Sequence, residues 1–256
     1  MVTLFPWIAM LAACSTPSVR AASTDELRLM SYNLNYGNPD WDGTLDAIEK
    51  ADVDVVLLQE VTSSWQSALA DRFRKQYPHQ KYRIDRRSAG GLAVLSKLPI
   101  EAEELWPPPA GTGAWFPLGR VVTATGFGKL QLLNVHLRPA RDSQGWVTGY
   151  LTTPPLRRAE IEAHWKRVTL ELPTIVAGDF NEEPDGKVIE FLVGKGLTRV
   201  PTSGPKSWRY VRDNVEVLKL DIDHVVIDGN LTARDAHVID AGASDHRPVV
   251  VTIAPK

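Results

Sequence analysis

Asp179 and Asn181 stand either side of Phe180, directly after the apolar run Ile175-Val176-Ala177 and Gly178. In an extended chain alternate side chains share a side, so a carboxylate and a carboxamide would leave the sheet edge together. The carboxylate can take a proton from water or bind a cation; the amide can hold the same water or a phosphate oxygen. A plain turn is the competing reading, because Gly, Asp and Asn are common turn formers. Other strand-like stretches end the same way. Asn33 and Asn35 close the first, Glu60 follows Leu58-Gln59, and Asn134 and His136 end another. Asp221 and Asp223 interrupt an apolar stretch, and Ser244-Asp245-His246-Arg247-Pro248 precedes the last one. Singly, each has a dull reading: Glu60 as a helix cap, His136 as a satisfied core histidine, Asp223 as a salt-bridge partner. Collectively they have a common cause. Buried carboxylates are costly unless paired or bound to a cation. Oxygen donors with few sulfurs suit a hard divalent ion, Mg²⁺ or Mn²⁺. Histidines suit proton transfer or stabilisation of charge on a phosphoryl group. Metal, carboxylate base and histidine together equip a site for water attack on a phosphate ester.

The elements that must position these groups can be read in outline. Leu27 to Asn33 alternates as a strand, and Gly43 to Ala51 has helical spacing. Val53 to Leu58 reads as a buried strand, and Ser63 or Ser64 caps a helix running to about Gln76. Tyr82 to Asp85, Leu92 to Ser96 and Ile100 to Leu105 read as short strands. Trp106 to Leu118, with four prolines and two tryptophans, reads as a loop. Arg120 to Thr125 and Lys129 to His136 pair as a hairpin around Gly126-Phe127-Gly128. Arg138 to Pro155 and Pro201 to Val215 read as polar loops, with helices over Leu156 to Thr169 and Asp185 to Val193. Asp221 to Ile227, Leu231 to Val238 and Val249 to Ile253 close the chain as strands. Strands outnumber helices and several follow one another directly. That favours two packed mixed sheets with helices outside.

Ser-Tyr-Asn33-Leu, Leu-Gln-Glu60, Gly90-Gly91-Leu92-Ala93-Val94-Leu95-Ser96, Asn134-Val-His136-Leu, Gly178-Asp179-Phe180-Asn181, Ile222-Asp223-His224 and Ser244-Asp245-His246-Arg247-Pro248 occur in this order. The set resembles the endonuclease/exonuclease/phosphatase superfamily, over roughly residues 27 to 254. The resemblance implies an α/β fold: a four-layer α/β sandwich, two mixed, mostly antiparallel sheets flanked by helices. It implies a divalent-metal-dependent phosphoesterase that breaks phosphodiester bonds by in-line water attack, with Mg²⁺ or Mn²⁺ as cofactor. Glu60 would be the principal metal ligand, with Asn33 and Asp245 nearby. Asp179 would orient or deprotonate the water, and Asn181 would hold the phosphate or the water. His246 would stabilise the phosphorus centre, with Asp223 fixing its tautomer. His136 would contact the phosphate or assist the leaving group. Asn35 is a further candidate, and His224 reads as structural.

The 256 residues, 43% hydrophobic and 23% charged, fit one large domain over residues 25–256. A net charge of −2 gives no global basic footprint, so a polyanionic substrate would need a local patch. Residues 1–24 differ. Leu4 to Ala13 is short and apolar and ends at Leu11-Ala12-Ala13-Cys14, with Cys14 the single cysteine. That pattern suits a signal peptide, and Leu-Ala-Ala-Cys resembles a bacterial lipobox. The expectation is a monomer of the cell envelope, lipid-anchored to the membrane at Cys14; the alternative is a periplasmic or secreted protein cleaved after Ala21 or Ala22. Substrate choice falls to the loops. Trp208 could stack on a base, and Arg209 and Arg157 could meet phosphate. No apolar membrane-binding hairpin stands out, which favours a nuclease acting on nucleic acid. The alternatives are a phospholipase C or sphingomyelinase-like enzyme, a small-molecule phosphatase, and an inactive surface-anchored binding protein.

Overall fold

The structure, a computed structural model, describes residues 22–85, 89–213 and 215–256. Cys14 and the leader lie outside the described residues. The first third of the chain runs β1 (Leu27–Asn33), α1 (Trp41–Ala51), β2 (Val55–Gln59), α2 (Ser63–Phe73), β3 (His79–Arg83), β4 (Leu92–Ser96) and β5 (Ile100–Trp106). Next come β6 (Leu118–Thr125), β7 (Gly128–His136), α3 (Trp146–Thr152), α4 (Pro154–Trp165), β8 (Thr174–Asp179) and α5 (Lys187–Gly194). The chain closes with β9 (Leu197–Arg199), β10 (Trp208–Arg212), β11 (Val215–Leu220), β12 (Asp223–Asp228), β13 (Leu231–Val238) and β14 (Val249–Pro255).

Two six-stranded sheets form, in the orders β13-β14-β1-β2-β4-β3 and β5-β6-β7-β8-β12-β9. Only β1–β2 and β7–β8 pair in parallel among the described ladders. Alternation along the strands divides the core into layers. Leu27, Leu29, Val55, Leu57, Leu130, Leu132, Ile175, Ala177, Val225 and Val251 fill the space between the sheets. Met30, Tyr32, Val56 and Leu58 point the other way, against Ile48, Trp65 and Leu69 of α1 and α2. Leu133, Val135, Val176 and Val226 meet Ile161, Val188 and Leu192 of α4 and α5. Helix, sheet, sheet, helix is the expected four-layer sandwich. Thr62, rather than Ser63 or Ser64, caps α2 by accepting from the Trp65 amide.

Several expectations need correction. The strand that begins with the apolar run carries on through Gly178. It runs to Asp179, and Gly178 at φ 150 lets the backbone approach Val135, where a Cβ would lie 1.9 Å from the carbonyl oxygen. Asp221 lies before β12, not within it. The loop over Arg138 to Pro155 contains α3, whose Trp146, Val147, Tyr150 and Leu151 are exposed, so no buried stripe advertised a helix. The loop over Pro201 to Val215 contains β10, which forms a two-stranded ribbon with β11, joined to the rest by a bridge from Trp208 to His246. A register shift between Tyr210 and Val211 breaks its alternation, which hid it from a periodicity reading.

Candidate active site

The phase that builds the central core also builds the site. Inward positions are apolar along most of each strand and turn polar at one end. In β7 the inward series is Leu130, Leu132, Asn134, His136; in β8 it is Ile175, Ala177, Asp179; in β12, read from its far end, it is Ile227, Val225, Asp223. Strand register then puts His136 opposite Asp179 and Asp179 opposite Asp223. One row across three strands therefore carries a histidine and two carboxylates. Asn134, one step deeper, ties the sheets together: its Nδ2 donates to the Leu58 and Ala93 carbonyls, and its Oδ1 accepts from Gln59.

Asp179 is the hub of this row. Its Oδ1 accepts the Asn181 amide at 2.8 Å, and its Oδ2 accepts Asn33 Nδ2 at 3.0 Å. His136 Nε2 and His246 Nε2 each lie 3.6 Å from the same Oδ2. His246 stands between the two facing carboxylates, its Nδ1 2.9 Å from Asp223 Oδ2. Like charges opposite one another across a ladder repel; an imidazolium between them removes the conflict. Burial opposes charge on His246, but Asp223 and Asp179 outweigh it and hold its pKa well above the ordinary histidine range. Burial raises the Asp179 carboxyl, with the charge on His246 pulling the other way. His136 behaves oppositely. Burial keeps it neutral, lowering its pKa despite Asp179. Its Nδ1 faces the Ala89 carbonyl at 3.0 Å, an acceptor, so Nδ1 carries the proton and Nε2 is left as an acceptor. The two histidines thus differ in charge: His246 is held as a cation and His136 stays neutral.

The other half of the site hangs on loops. Glu60 follows β2 at φ 59, Asn35 follows β1 at φ 56, and Asn181 follows β8 at φ 52. Three left-handed non-glycine residues around one centre are the strain expected of a functional site. Burial raises the Glu60 carboxyl, offset by the Tyr36 amide, His246 and Asn33. Its Oε2 accepts Tyr36 N at 3.0 Å, its Oε1 accepts Asn33 Nδ2 at 3.2 Å, and that oxygen lies 3.8 Å from His136 Nε2. Asp245 accepts Asn35 Nδ2 at 2.8 Å and Trp208 Nε1 at 3.0 Å. Four carboxylates, Glu60, Asp179, Asp223 and Asp245, thereby gather around one imidazolium. The donor set is oxygen-rich and free of sulfur, and its excess negative charge fits a hard divalent cation. Asp179, Asp223 and His246 bring ligand-type atoms within 4.8 Å of one another. That trio is a hydrogen-bonded relay, since Asp223 already holds His246 Nδ1. Glu60 and Asp245 are the better cation holders; Asn33, expected beside them, turns its nitrogen to the carboxylates while its Oδ1 accepts the Asn35 amide.

Every expected catalytic and metal-holding residue converges here, with changes of detail. Asn181 does not share a face with Asp179 through extended alternation. Its left-handed turn lets its amide N–H bond Asp179, and its Nδ2 donates to the Leu137 carbonyl at 3.0 Å. Asn33 presents its amide nitrogen to both Glu60 and Asp179, so it orients the two carboxylates. Arg157 is not offered to a substrate. It is 2% exposed, pairs with Glu182 at 3.5 Å and donates to Thr153 and the Arg138 carbonyl. Trp208 commits its indole N–H to Asp245, and Arg209 pairs with Glu216 at 3.2 Å. His224 is structural, bonded to the Glu182 carbonyl at 2.9 Å. Sequence reasoning missed Ser207 and Ser244. Ser207 Oγ accepts the Ile222 and Asp223 amides; Ser244 Oγ donates to the Asn33 carbonyl and accepts the His246 amide. Ser244 carried a signal, standing directly before Asp245-His246; Ser207 carried none.

The sandwich and this carboxylate–histidine centre define a class of hydrolase that acts on phosphate esters. The chain belongs to the Endonuclease/Exonuclease/phosphatase family, whose profile matches residues 30–246. Solved structures with the same fold include truncated TDP2 of Caenorhabditis elegans, at TM-score 0.64 and 16% identity over 90% of this chain and 98% of that one. Sphingomyelinase C of Streptomyces griseocarneus matches at TM-score 0.62 and 18% identity, over 89% and 99% of the two chains. The human Nocturnin catalytic domain matches at TM-score 0.66 and 15% identity, over 91% and 94%. A comparison with curated protein sequences returned no match.

Proposed function

We propose that the chain is a divalent-metal-dependent phosphodiesterase, with nucleic acid as the first substrate class to test. The observation that carries this reading is the Asp179 hub, one carboxylate held by two amide donors and faced by a neutral and a charged histidine. Glu60 and Asp245 would hold Mg²⁺ or Mn²⁺, with Asn33 orienting Glu60; the ion when bound supplies positive charge to a phosphoryl oxygen. Asp179, its burial-raised carboxyl fixed by Asn181 and Asn33, orients the attacking water and takes its proton at Oδ2. His136 Nε2, an acceptor facing the same oxygen, helps orient that water. A neutral histidine whose proton sits on Nδ1, donated to the Ala89 carbonyl, is not equipped to protonate the leaving group. His246, locked as a cation by Asp223, donates from Nε2 to the oxygen on which charge builds. Water's oxygen bonds to phosphorus as the ester P–O bond breaks; the departing oxygen takes a proton from solvent.

A second reading, a phospholipase C or sphingomyelinase-like activity, gains weight from one feature. An apolar hairpin does exist: β10–β11 exposes Tyr210, Val211, Val215, Val217 and Leu218 at the site end of β12. Sphingomyelinase C is among the fold's relatives. The test is a substrate panel with and without Mg²⁺: plasmid DNA, RNA, bis-p-nitrophenyl phosphate, sphingomyelin vesicles and inositol phosphates. Turnover of nucleic acid supports the first reading, turnover of sphingomyelin the second. No turnover of any ester returns the inactive binding protein to the front.

Export and lipid anchoring at Cys14 are also proposed, from Leu11-Ala12-Ala13-Cys14 after an apolar core. Mass spectrometry of the mature protein should find an acylated Cys14, lost in Cys14→Ser; an intact unmodified Met1 terminus would overturn it.

A further inference from the structure

Asp245 is held unlike the other carboxylates of the site. Its Oδ1 accepts Asn35 Nδ2 at 2.8 Å and its Oδ2 accepts Trp208 Nε1 at 3.0 Å. Each oxygen has one neutral donor within 3.0 Å, with Ser244 Oγ at 3.4 Å from Oδ1, and a carboxylate offers about four lone-pair positions, so capacity for a cation remains. Both donors sit on backbones that are themselves fixed. Asn35 is left-handed at φ 56, its amide N–H bonds Asn33 Oδ1, and its Oδ1 accepts the Gly37 amide. Trp208 opens β10, where it bridges His246 in antiparallel fashion. Around it, the Arg209 amide donates to the Asp245 carbonyl at 2.9 Å and the Arg247 amide donates to the Ser207 carbonyl at 2.6 Å. The ribbon is pinned in turn through Glu216, which pairs with Arg209, Arg247 and Lys219. The root of an otherwise separate hairpin is thus sewn to the segment that carries Asp245 and His246.

We propose that Asn35 and Trp208 are positioning residues for Asp245, and that by fixing both carboxylate oxygens they set the affinity of the site for its divalent cation. The proposal rests on the metal-dependent reading above. It gives the β10–β11 hairpin a role besides walling the open cleft of about 280 Å³ that Asn35, Pro39, Arg209, Tyr210 and Asp245 help to line. Through Trp208 the hairpin's placement reaches the cation site directly. A packing role for the indole predicts something else: loss of stability when the ring is removed, and no change when only its N–H is.

Mn²⁺ titration of the full chain by calorimetry separates the two, with thermal melts and steady-state kinetics on bis-p-nitrophenyl phosphate beside it. Trp208→Phe keeps an aromatic ring at the position, smaller than the indole, and removes the donor. Loss of a partner that orients a metal ligand costs 10–100-fold in metal affinity, so Mn²⁺ binding should weaken on the order of 10-fold. The melting temperature should hold, and kcat should recover at saturating Mn²⁺. Asn35→Gly, which tolerates the left-handed backbone and leaves the hairpin alone, should weaken Mn²⁺ binding similarly through the other oxygen. Val217→Ser, on the same hairpin and 60% exposed in the parent residue, should bind Mn²⁺ as the wild type does. Wild-type Mn²⁺ affinity in both Trp208→Phe and Asn35→Gly overturns the positioning role while leaving the metal-dependent reading standing. No Mn²⁺ binding by the wild type removes that reading and this one together.

Discussion

His136, Asp179 and Asp223 lie in one row across three hydrogen-bonded strands, whereas Glu60, Asn35 and Asp245 are held by loops that meet only in the folded chain. In the strand half the backbone ladder does the positioning, and the side chains are nearly sealed: Asp179 is 2% and Asp223 3% exposed. In the loop half each carboxylate depends on donors from elsewhere, with Asn35 and Asp245 separated by 210 residues. In the proposed reading the strand half takes the proton and, through Asp223, holds the loop-borne His246 as a cation; the loop half also carries the oxygens suited to a divalent ion. A rigid ladder suits groups whose distances must not change. Loops suit a site that must open to a cation and to substrates of varied shape.

The largest effects should come from the strand carboxylates and the histidine they hold. His246→Ala removes the imidazolium between Asp179 and Asp223 and should lower kcat on the order of 10²-fold or more. Asp223→Ala should lower it too, by loosening the ring and its charge. If Asp223 acts only through His246, the double variant should be no slower than His246→Ala. The four members of that cycle, measured on bis-p-nitrophenyl phosphate, decide the matter: additive losses would give Asp223 a separate role.

The uneven construction also explains what was legible in the sequence. Asp179, Asp223, His136 and Asn134 could be seen because each breaks an apolar run at a strand end, in the phase of the buried face. Glu60 and Asp245-His246 were visible through the ordered motifs rather than through any local pattern. The contacts of Asn33 and Trp208 were not legible, because they depend on which loops meet. Arg157 was misread for a related reason. Two arginines opening a helix look alike in sequence; only the fold shows that Arg157 turns inward to Glu182 while Arg158 stays part-exposed with Glu162. The sandwich itself was plain from strand count and order, but α3 and the β10–β11 ribbon were not, since neither buries a periodic face.

Arg157→Ala sharpens that distinction. It should act on stability before chemistry, because it leaves Glu182 buried without its cation; breaking such a pair costs roughly 3–5 kcal/mol. Two backbone donors from α5 still hold Glu182, so the low end is expected. Denaturant melts measure the loss. A large rise in KM at unchanged stability would instead restore a substrate contact.

A smaller effect concerns pH and lies behind the strand half, under α4. Burial raises the Glu160 carboxyl to about 8 and lowers His164 to about 4. For Glu160 the stabilising contribution is full below the unfolded value of about 4.5 and is lost as pH rises through about 8, since the unfolded chain ionises first. For His164 the sign is reversed: its contribution is full above about 6.5 and is lost as pH falls through about 4. The two slopes oppose between about 4.5 and 6.5; above that Glu160 and the raised His246 both lower stability as pH rises. Wild-type melting temperature should therefore fall across pH 6.5–8, and Glu160→Gln should flatten that fall; an equal slope in the variant would put the titration elsewhere.

The role of Asp179 is tested most directly by its conversion to asparagine. Asp179→Asn keeps the shape of the side chain and its bond to the Asn181 amide but cannot take a proton. Turnover of bis-p-nitrophenyl phosphate should be measured for wild type and variant in EDTA and again at saturating Mg²⁺. Wild type should be inactive in EDTA and recover with Mg²⁺, while Asp179→Asn should remain slower by about 10²-fold or more at an unchanged melting temperature. Wild-type turnover in the Mg²⁺-saturated variant would contradict the assignment of Asp179 as the base.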